Sequence, residues 1–134
     1  EKEEKEKTFV YAIPVSGGEA LLAYTFPHPV LKMEFADKKT AVVLHSWKDD
    51  PFKKLPKEKA EEAKKDEADY ETFEEIPFWS NGGGFTSRKR NRLFVYNLSN
   101  MKGTALTDEF TQVDGFDFDK KTQEILFTKS TYKV

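Results

Sequence analysis

With 134 residues the chain has room for one domain and a modest core. Its 22 basic and 24 acidic residues leave a net charge of -2, which argues against a nucleic-acid or anionic membrane surface. There is no cysteine, so disulfides and thiolate metal sites are excluded.

The chain opens on Glu1 rather than Met and is expected to be processed or part of something longer. Residues 1–7 are almost pure charge and read as a linker. No apolar run is long enough to span a membrane or to serve as a signal peptide, and together with the missing cysteine this fits a cytoplasmic protein. Phe9, Tyr11, Ile13 and Val15 fall on one face of a strand, and Ser16-Gly17-Gly18 reads as the turn after it. Leu31, Met33 and Phe35 alternate with Lys32 and Glu34, the period of a half-buried strand. Asp37-Lys38-Lys39 is a turn signal, and Ala41 to Leu44 is the next apolar run.

An insertion runs from near Trp47 to about Arg92. Within it, Lys57 to Glu67 reads as a helix with Pro56 at its first turn and an i,i+4 Glu61–Lys65 pair. Only Ala60 and Ala63 offer it a dry face. Tyr70 to Trp79 reads as an extended strand, followed by the turn Asn81-Gly82-Gly83-Gly84. Leu93 to Tyr96 is nearly continuous in apolar residues, as expected of a strand buried on both faces. Ser99 to Gly103 and Asp119-Lys120-Lys121 are further turns.

The chain also repeats itself. Phe9-Val10-Tyr11 recurs as Phe94-Val95-Tyr96, 85 positions later, and at that offset Gly18 matches Gly103 and Ala20-Leu21 matches Ala105-Leu106. Asp37-Lys38-Lys39-Thr40 recurs as Asp119-Lys120-Lys121-Thr122, each following a Phe and preceding an apolar run. Self-similarity in one order marks a repeat architecture. Twelve Phe, five Tyr and two Trp point the same way, to a sheet-rich fold. The expectation is a mainly β chain of antiparallel β-propeller blades, about two blade equivalents, with one inserted α-helix. Residues 8–26 form a half blade, 30–107 a blade with the helix at about 56–68, and 113–130 the other half blade.

The segment Ile76 to Arg92, followed by the strand Leu93-Phe94-Val95-Tyr96 and then Leu106-Thr107, resembles the N-terminal propeller of prolyl-oligopeptidase-family serine peptidases of the acylaminoacyl-peptidase and dipeptidyl-peptidase kind. In those relatives a Ser-Pro-Asp-Gly turn is common where this chain has Asp119-Lys120-Lys121-Thr122. The resemblance implies a non-catalytic propeller that selects peptide substrates for an α/β-hydrolase domain of the same parent chain, and needs no cofactor. The alternative is a protein-interaction propeller with no peptidase partner.

Catalytic signals are missing. No Gly-x-Ser-x-Gly elbow occurs, and His28, between two prolines, and His45, at a strand end, read as ordinary loop and strand-end residues. Gly82 to Gly84 lacks the Gly-Lys-Ser/Thr ending of a P-loop. Arg88-Lys89-Arg90 with Arg92 reads as an exposed hairpin arm. Candidate substrate contacts are Glu74, Glu75, Arg88 and Arg90; the resemblance suggests the glutamates, although neighbours on a strand point to opposite faces unless it is bulged. The two half blades lack what the other supplies, so a homodimer by strand exchange is expected, with no nucleic-acid or membrane partner.

Overall fold

A computed structural model describes residues 7–48, 55–69, 79–80, 84–85 and 89–131. In chain order its elements are β1 (Thr8–Ala12), β2 (Leu21–Phe26), β3 (Val30–Phe35), β4 (Thr40–Lys48), α1 (Lys57–Asp69), β5 (Trp79–Ser80), β6 (Gly84–Phe85), β7 (Lys89–Asn97), β8 (Lys102–Ala105), β9 (Thr111–Asp119) and β10 (Glu124–Thr131). The protein is mainly β, its sheets are antiparallel, and among the described residues none of them closes on itself. The chain divides into two compact units, one built on β1–β4 and β7–β10, the other on α1, β5 and β6.

The first unit centres on a four-stranded sheet in the order β3-β4-β7-β8. Leu98 N–H donates to Lys39 O at 2.7 Å, joining the residue after β7 to the residue before β4, as antiparallel neighbours require. Successive side chains of β4 point to opposite faces. Ala41 and Val43 join Phe94, Tyr96 and Leu98 on one face, while Val42 and Leu44 join Leu93 on the other. Both faces are covered. The β1–β2 hairpin lays Val10, Tyr24 and Phe26 on the first. The β9–β10 hairpin lays Val113, Phe116, Phe118 and Ile125 on the second. Lys32 fastens that second layer, donating from Nζ to Phe116 O at 2.6 Å with its ammonium 4.7 Å from the Phe116 ring centroid.

The two Asp-Lys-Lys turns occupy equivalent places. Lys39 N–H donates to Asp37 Oδ1 at 2.7 Å, and Lys121 N–H donates to Asp119 Oδ1 at 2.8 Å. Each aspartate thus caps its own turn through an Asx bond, and each turn joins two antiparallel strands. Around these turns Phe35 pairs with Ala41 and Phe118 with Ile125, which makes Ala41 and Val42 the counterparts of Ile125 and Leu126. The glycine and Ala-Leu matches do not occupy equivalent places: Phe9 pairs with Thr25 where Phe94 pairs with Ala105, and Gly18 precedes β2 while Gly103 lies within β8. Gly18 has φ 127°, a left-handed backbone that disfavours a side chain. Gly103 lies opposite Tyr96, and a Cβ there would stand 2.8 Å from the tyrosine ring.

The expected strand through Val15 ends early. β1 stops at Ala12, its register shifts between Val10 and Tyr11, and Gly17 N–H donates to Pro14 O at 3.0 Å. Pro14 has no N–H for a ladder, so Ile13 and Val15 belong to the turn and are exposed. The Phe9–Tyr11 side of β1 faces outward, and Val10 packs inward.

In the second unit, the helix expected over Lys57 to Glu67 extends to Asp69. Pro56 O accepts the N–H of Ala60 at 2.9 Å, placing the proline just ahead of the first turn. Through Asp66 only Ala60 and Ala63 are half-buried. β5 and β6 pair antiparallel, Trp79 with Phe85 and Ser80 with Gly84. The strand expected over Tyr70 to Trp79 lies, apart from Trp79, outside the described residues. Among the described residues no helix is long and apolar enough to cross a membrane.

Because so little of α1 is buried, replacing residues 57–69 with a short Gly-Ser linker should lower the thermal midpoint by only a few degrees, the equivalent of less than about 1 kcal/mol. Circular dichroism melts check this; a loss of cooperative unfolding would mean that the helix is part of the core.

Candidate functional site

Of the residues singled out in the sequence, Glu74, Glu75 and Arg88 lie outside those described. Arg90 does not stand on an exposed arm. It is buried within β7, which continues through the basic cluster, and Arg92 two residues on is half-buried. Of the glycine run, Gly84 lies in β6 and pairs with Ser80 of β5; Gly82 and Gly83 lie outside the described residues.

A polar and aromatic cluster of the first unit gathers around the buried His45. This histidine does not end a strand. β4 runs on to Lys48, and the alternation that takes Ala41 and Val43 inward takes His45 inward too, to full burial. Both its ring nitrogens are occupied. Nδ1 lies 3.2 Å from Pro29 O and Nε2 lies 2.7 Å from the Tyr96 hydroxyl. A carbonyl can only accept, so Nδ1 carries the proton, and Nε2 accepts from the Tyr96 O–H. Pro29 O also accepts the N–H of Ser46 at 3.0 Å, so the residue before β3 holds β4 by two bonds.

Aromatic rings enclose this pair. Phe26, from the covering hairpin, meets Tyr96 edge-on at 4.9 Å and His45 at 5.9 Å. Trp47 stacks on Phe94 at 5.1 Å, and His28 lies on Trp47 at 3.7 Å. The Arg92 guanidinium sits 5.3 Å from the Trp47 ring and 5.4 Å from the Phe94 ring, and its Nη2 donates to Thr107 O at 3.1 Å. His28, Trp47 and Arg92 are half-buried and form the rim of the cluster; His45 and Tyr96 are its floor.

Burial pushes the His45 imidazole down to about 4, since a charged ring would lose its water. The Pro29 carbonyl bond opposes this and His28 adds a smaller repulsion. Burial likewise pushes the Tyr96 phenol up to about 12. A neutral, doubly engaged imidazole beside a protonated phenol is a structural pin, with no free ring nitrogen to take a proton from a nucleophile.

The Leu106-Thr107 pair has a clear local task. Leu106 N–H donates to Leu93 O at 2.8 Å, and the Thr107 hydroxyl accepts from Leu93 N–H at 3.2 Å. Thr107 thus extends the β7–β8 ladder with its side chain. Asp108 then turns the chain toward β9, accepting from the Thr111 hydroxyl at 2.8 Å and from Phe110 N–H at 3.0 Å. The Thr111 hydroxyl bond holds the Asp108 carboxyl below its ordinary value. Among the described residues no group of three or more His, Asp or Glu could hold a metal ion. The cluster around His45 was missed in the sequence, although its signal was there: Ala41, Val43, His45 and Trp47 share one parity.

No model of a known protein family and no curated protein matches the chain.

Replacing Tyr96 with Phe leaves the buried Nε2 of His45 without its donor. The expected cost is about 1–3 kcal/mol, read as a lower urea midpoint with unchanged slope; an unaltered midpoint would mean that water replaces the hydroxyl. The pH dependence has a definite sign. Below 6.5 the unfolded chain protonates His45 while the folded one resists until about 4. Stability present above pH 6.5 is therefore lost as the pH falls from 6.5 toward 4. The His45→Gln variant should show a shallower loss across that window, and imidazole NMR shifts of the parent protein should report His45 as neutral down to about pH 4.

Proposed function

We propose that this chain is a stretch of β-propeller, one whole blade with a half blade on each face, and that it selects peptides for a serine-peptidase domain without performing chemistry itself. The observation that carries the propeller part is the stacking of like on like. Val10 packs into one side of the central sheet, and its repeat partner Val95 packs into the opposite side. The β1–β2 hairpin therefore turns toward the central sheet the face that β7 turns toward β9–β10, which is how successive blades follow one another. The repeated Asx turns support the same assignment.

The peptidase part rests on the resemblance of Ile76 to Arg92 and of Leu106-Thr107. The engaged state of His45 suits a domain that does not catalyse, which both readings share. A protein-interaction propeller is the second reading. It is favoured by the local task of Thr107, which accounts for the Leu-Thr pair without any peptidase partner.

The pure chain should not turn over acyl-peptide or dipeptidyl chromogenic substrates. Turnover abolished by a serine-directed inhibitor would contradict the non-catalytic role. The complete gene product should label with a fluorophosphonate probe, and deleting residues 8–131 from it should admit larger peptides to cleavage. Absence of labelling would leave the interaction scaffold as the standing alternative.

A further inference from the structure

We propose that two copies of this chain join head to tail, β10 of each lying beside β1 of the other as β4 lies beside β7, so that the pair closes into two whole and two composite blades. This rests on the propeller assignment above. Four observations lead to it.

First, the two hairpins are complementary halves. β1–β2 matches β7–β8 through the Phe-Val-Tyr repeat on the first strand of each hairpin, and β9–β10 matches β3–β4 through the shared turn. Placed edge to edge, β9-β10-β1-β2 would reproduce the order β3-β4-β7-β8.

Second, the edges that would meet are open. Each hairpin is a two-stranded sheet, so among the described residues β1 pairs only with β2, and β10 only with β9. Unpaired edges template further strand addition.

Third, the exposed apolar side chains are the counterparts of buried ones. Phe9 and Tyr11 are 48% and 60% exposed, whereas their partners Phe94 and Tyr96 are 7% and 3% exposed. Leu126 is 79% exposed, whereas its counterpart Val42 is 2% exposed. Phe94 and Tyr96 are covered by the β1–β2 hairpin and Val42 by the β9–β10 hairpin. The outer face of each hairpin is thus a blade-packing face without its neighbour. In the closed pair, the central sheet of the second copy covers it.

Fourth, the outer faces carry a continuous apolar surface. The exposed parts of Phe9, Tyr11, Leu22 and Leu126, which lie on the outer sides, amount to roughly 450 Å² per copy. A closed pair would cover roughly 900 Å² of these side chains, to which the backbone of the two new strand pairings is added. Four blades is also the smallest common closed propeller.

The register follows from the central sheet. Continued along the ladder, the Leu98 to Lys39 bond sets Val43 beside Phe94 and Ala41 beside Tyr96. The corresponding meeting in the composite blade sets Phe127 beside Phe9 and Ile125 beside Tyr11 across the two copies.

The test uses the full chain and light scattering coupled to size-exclusion chromatography at micromolar concentration. The expected mass is twice the 15.5 kDa of one chain. Phe9→Lys and Leu126→Lys each place a charge on an exposed position of one half, so each variant alone should run as a folded monomer. Mixing the two should restore a two-chain species, because β1 of the Leu126→Lys copy and β10 of the Phe9→Lys copy leave one junction unaltered. A monomer at every concentration overturns the proposal, as does a mass of three or more chains. A pair abolished by Phe9→Lys but untouched by Leu126→Lys also overturns it, since that marks β1 meeting β1. NMR contacts between the Val10 and Val43 methyls separate the two levels. If they are present without association, only the pairing fails; if they are absent, the stacking beneath the propeller assignment fails with it.

Discussion

The structure depends on one constraint: the central sheet is apolar on both faces, so neither face can be left to water. β4 carries Ala41 and Val43 to one side and Val42 and Leu44 to the other, all nearly inaccessible to solvent. A sheet with one wet face shows an apolar and polar alternation; this one cannot. It is stable only with a layer above and a layer below, and the two terminal hairpins supply them. At about 25 cal/mol per Å² of apolar surface, losing either layer would cost several kcal/mol, comparable with the whole stability of a small domain.

The polar pin at His45 follows from the same constraint. A period-2 strand takes every second residue inward, so a histidine at that parity is buried whatever its chemistry. The fold accommodates it by giving each ring nitrogen a partner, the Pro29 carbonyl and the Tyr96 hydroxyl. These bonds connect the start of β3, the middle of β4 and the end of β7, and so add directionality to a layer that apolar packing alone would leave free to slide. Gly103 permits the arrangement, because any side chain opposite Tyr96 would displace the phenol ring.

Much of this was legible in the sequence where pattern and local chemistry agreed. β3 is visible as a strand in the alternation of Leu31, Met33 and Phe35, but of these Met33 alone packs into the core: the register shift between Val30 and Lys32 turns Val30 inward and leaves Leu31 exposed, and Phe35 is exposed too. The two Asp-Lys-Lys turns are visible as turn signals, and α1 in its composition after Pro56. β1 was overextended because apolar alternation continues through Ile13 and Val15, while the missing N–H of Pro14 decides where pairing stops. His45 reads as peripheral by residue type, whereas its parity with Ala41 and Val43 takes it into the core. Arg90 was placed on the surface by its charge, yet β7 carries it inward. The outward side of β1 could not be read at all, since its alternation has an apolar side on Phe9 and Tyr11 and packing alone selects Val10.

That last ambiguity bears on what the outer faces are for. A hairpin that merely capped the central sheet would gain from polar residues on its solvent side, and strands of that kind alternate accordingly. β1–β2 instead keeps Phe9, Tyr11, Leu21 and Leu22 at its surface, and β10 keeps Leu126. Phe9, Tyr11 and Leu126 repeat the apolar type of their buried counterparts, Phe94 and Tyr96 in β7 and Val42 in β4. Repetition of apolar character on an exposed face is what a sheet-stacking surface requires and a terminal cap does not. The hairpins therefore carry two packing faces each, one satisfied by the chain's own central sheet and one suited to another sheet of the same kind.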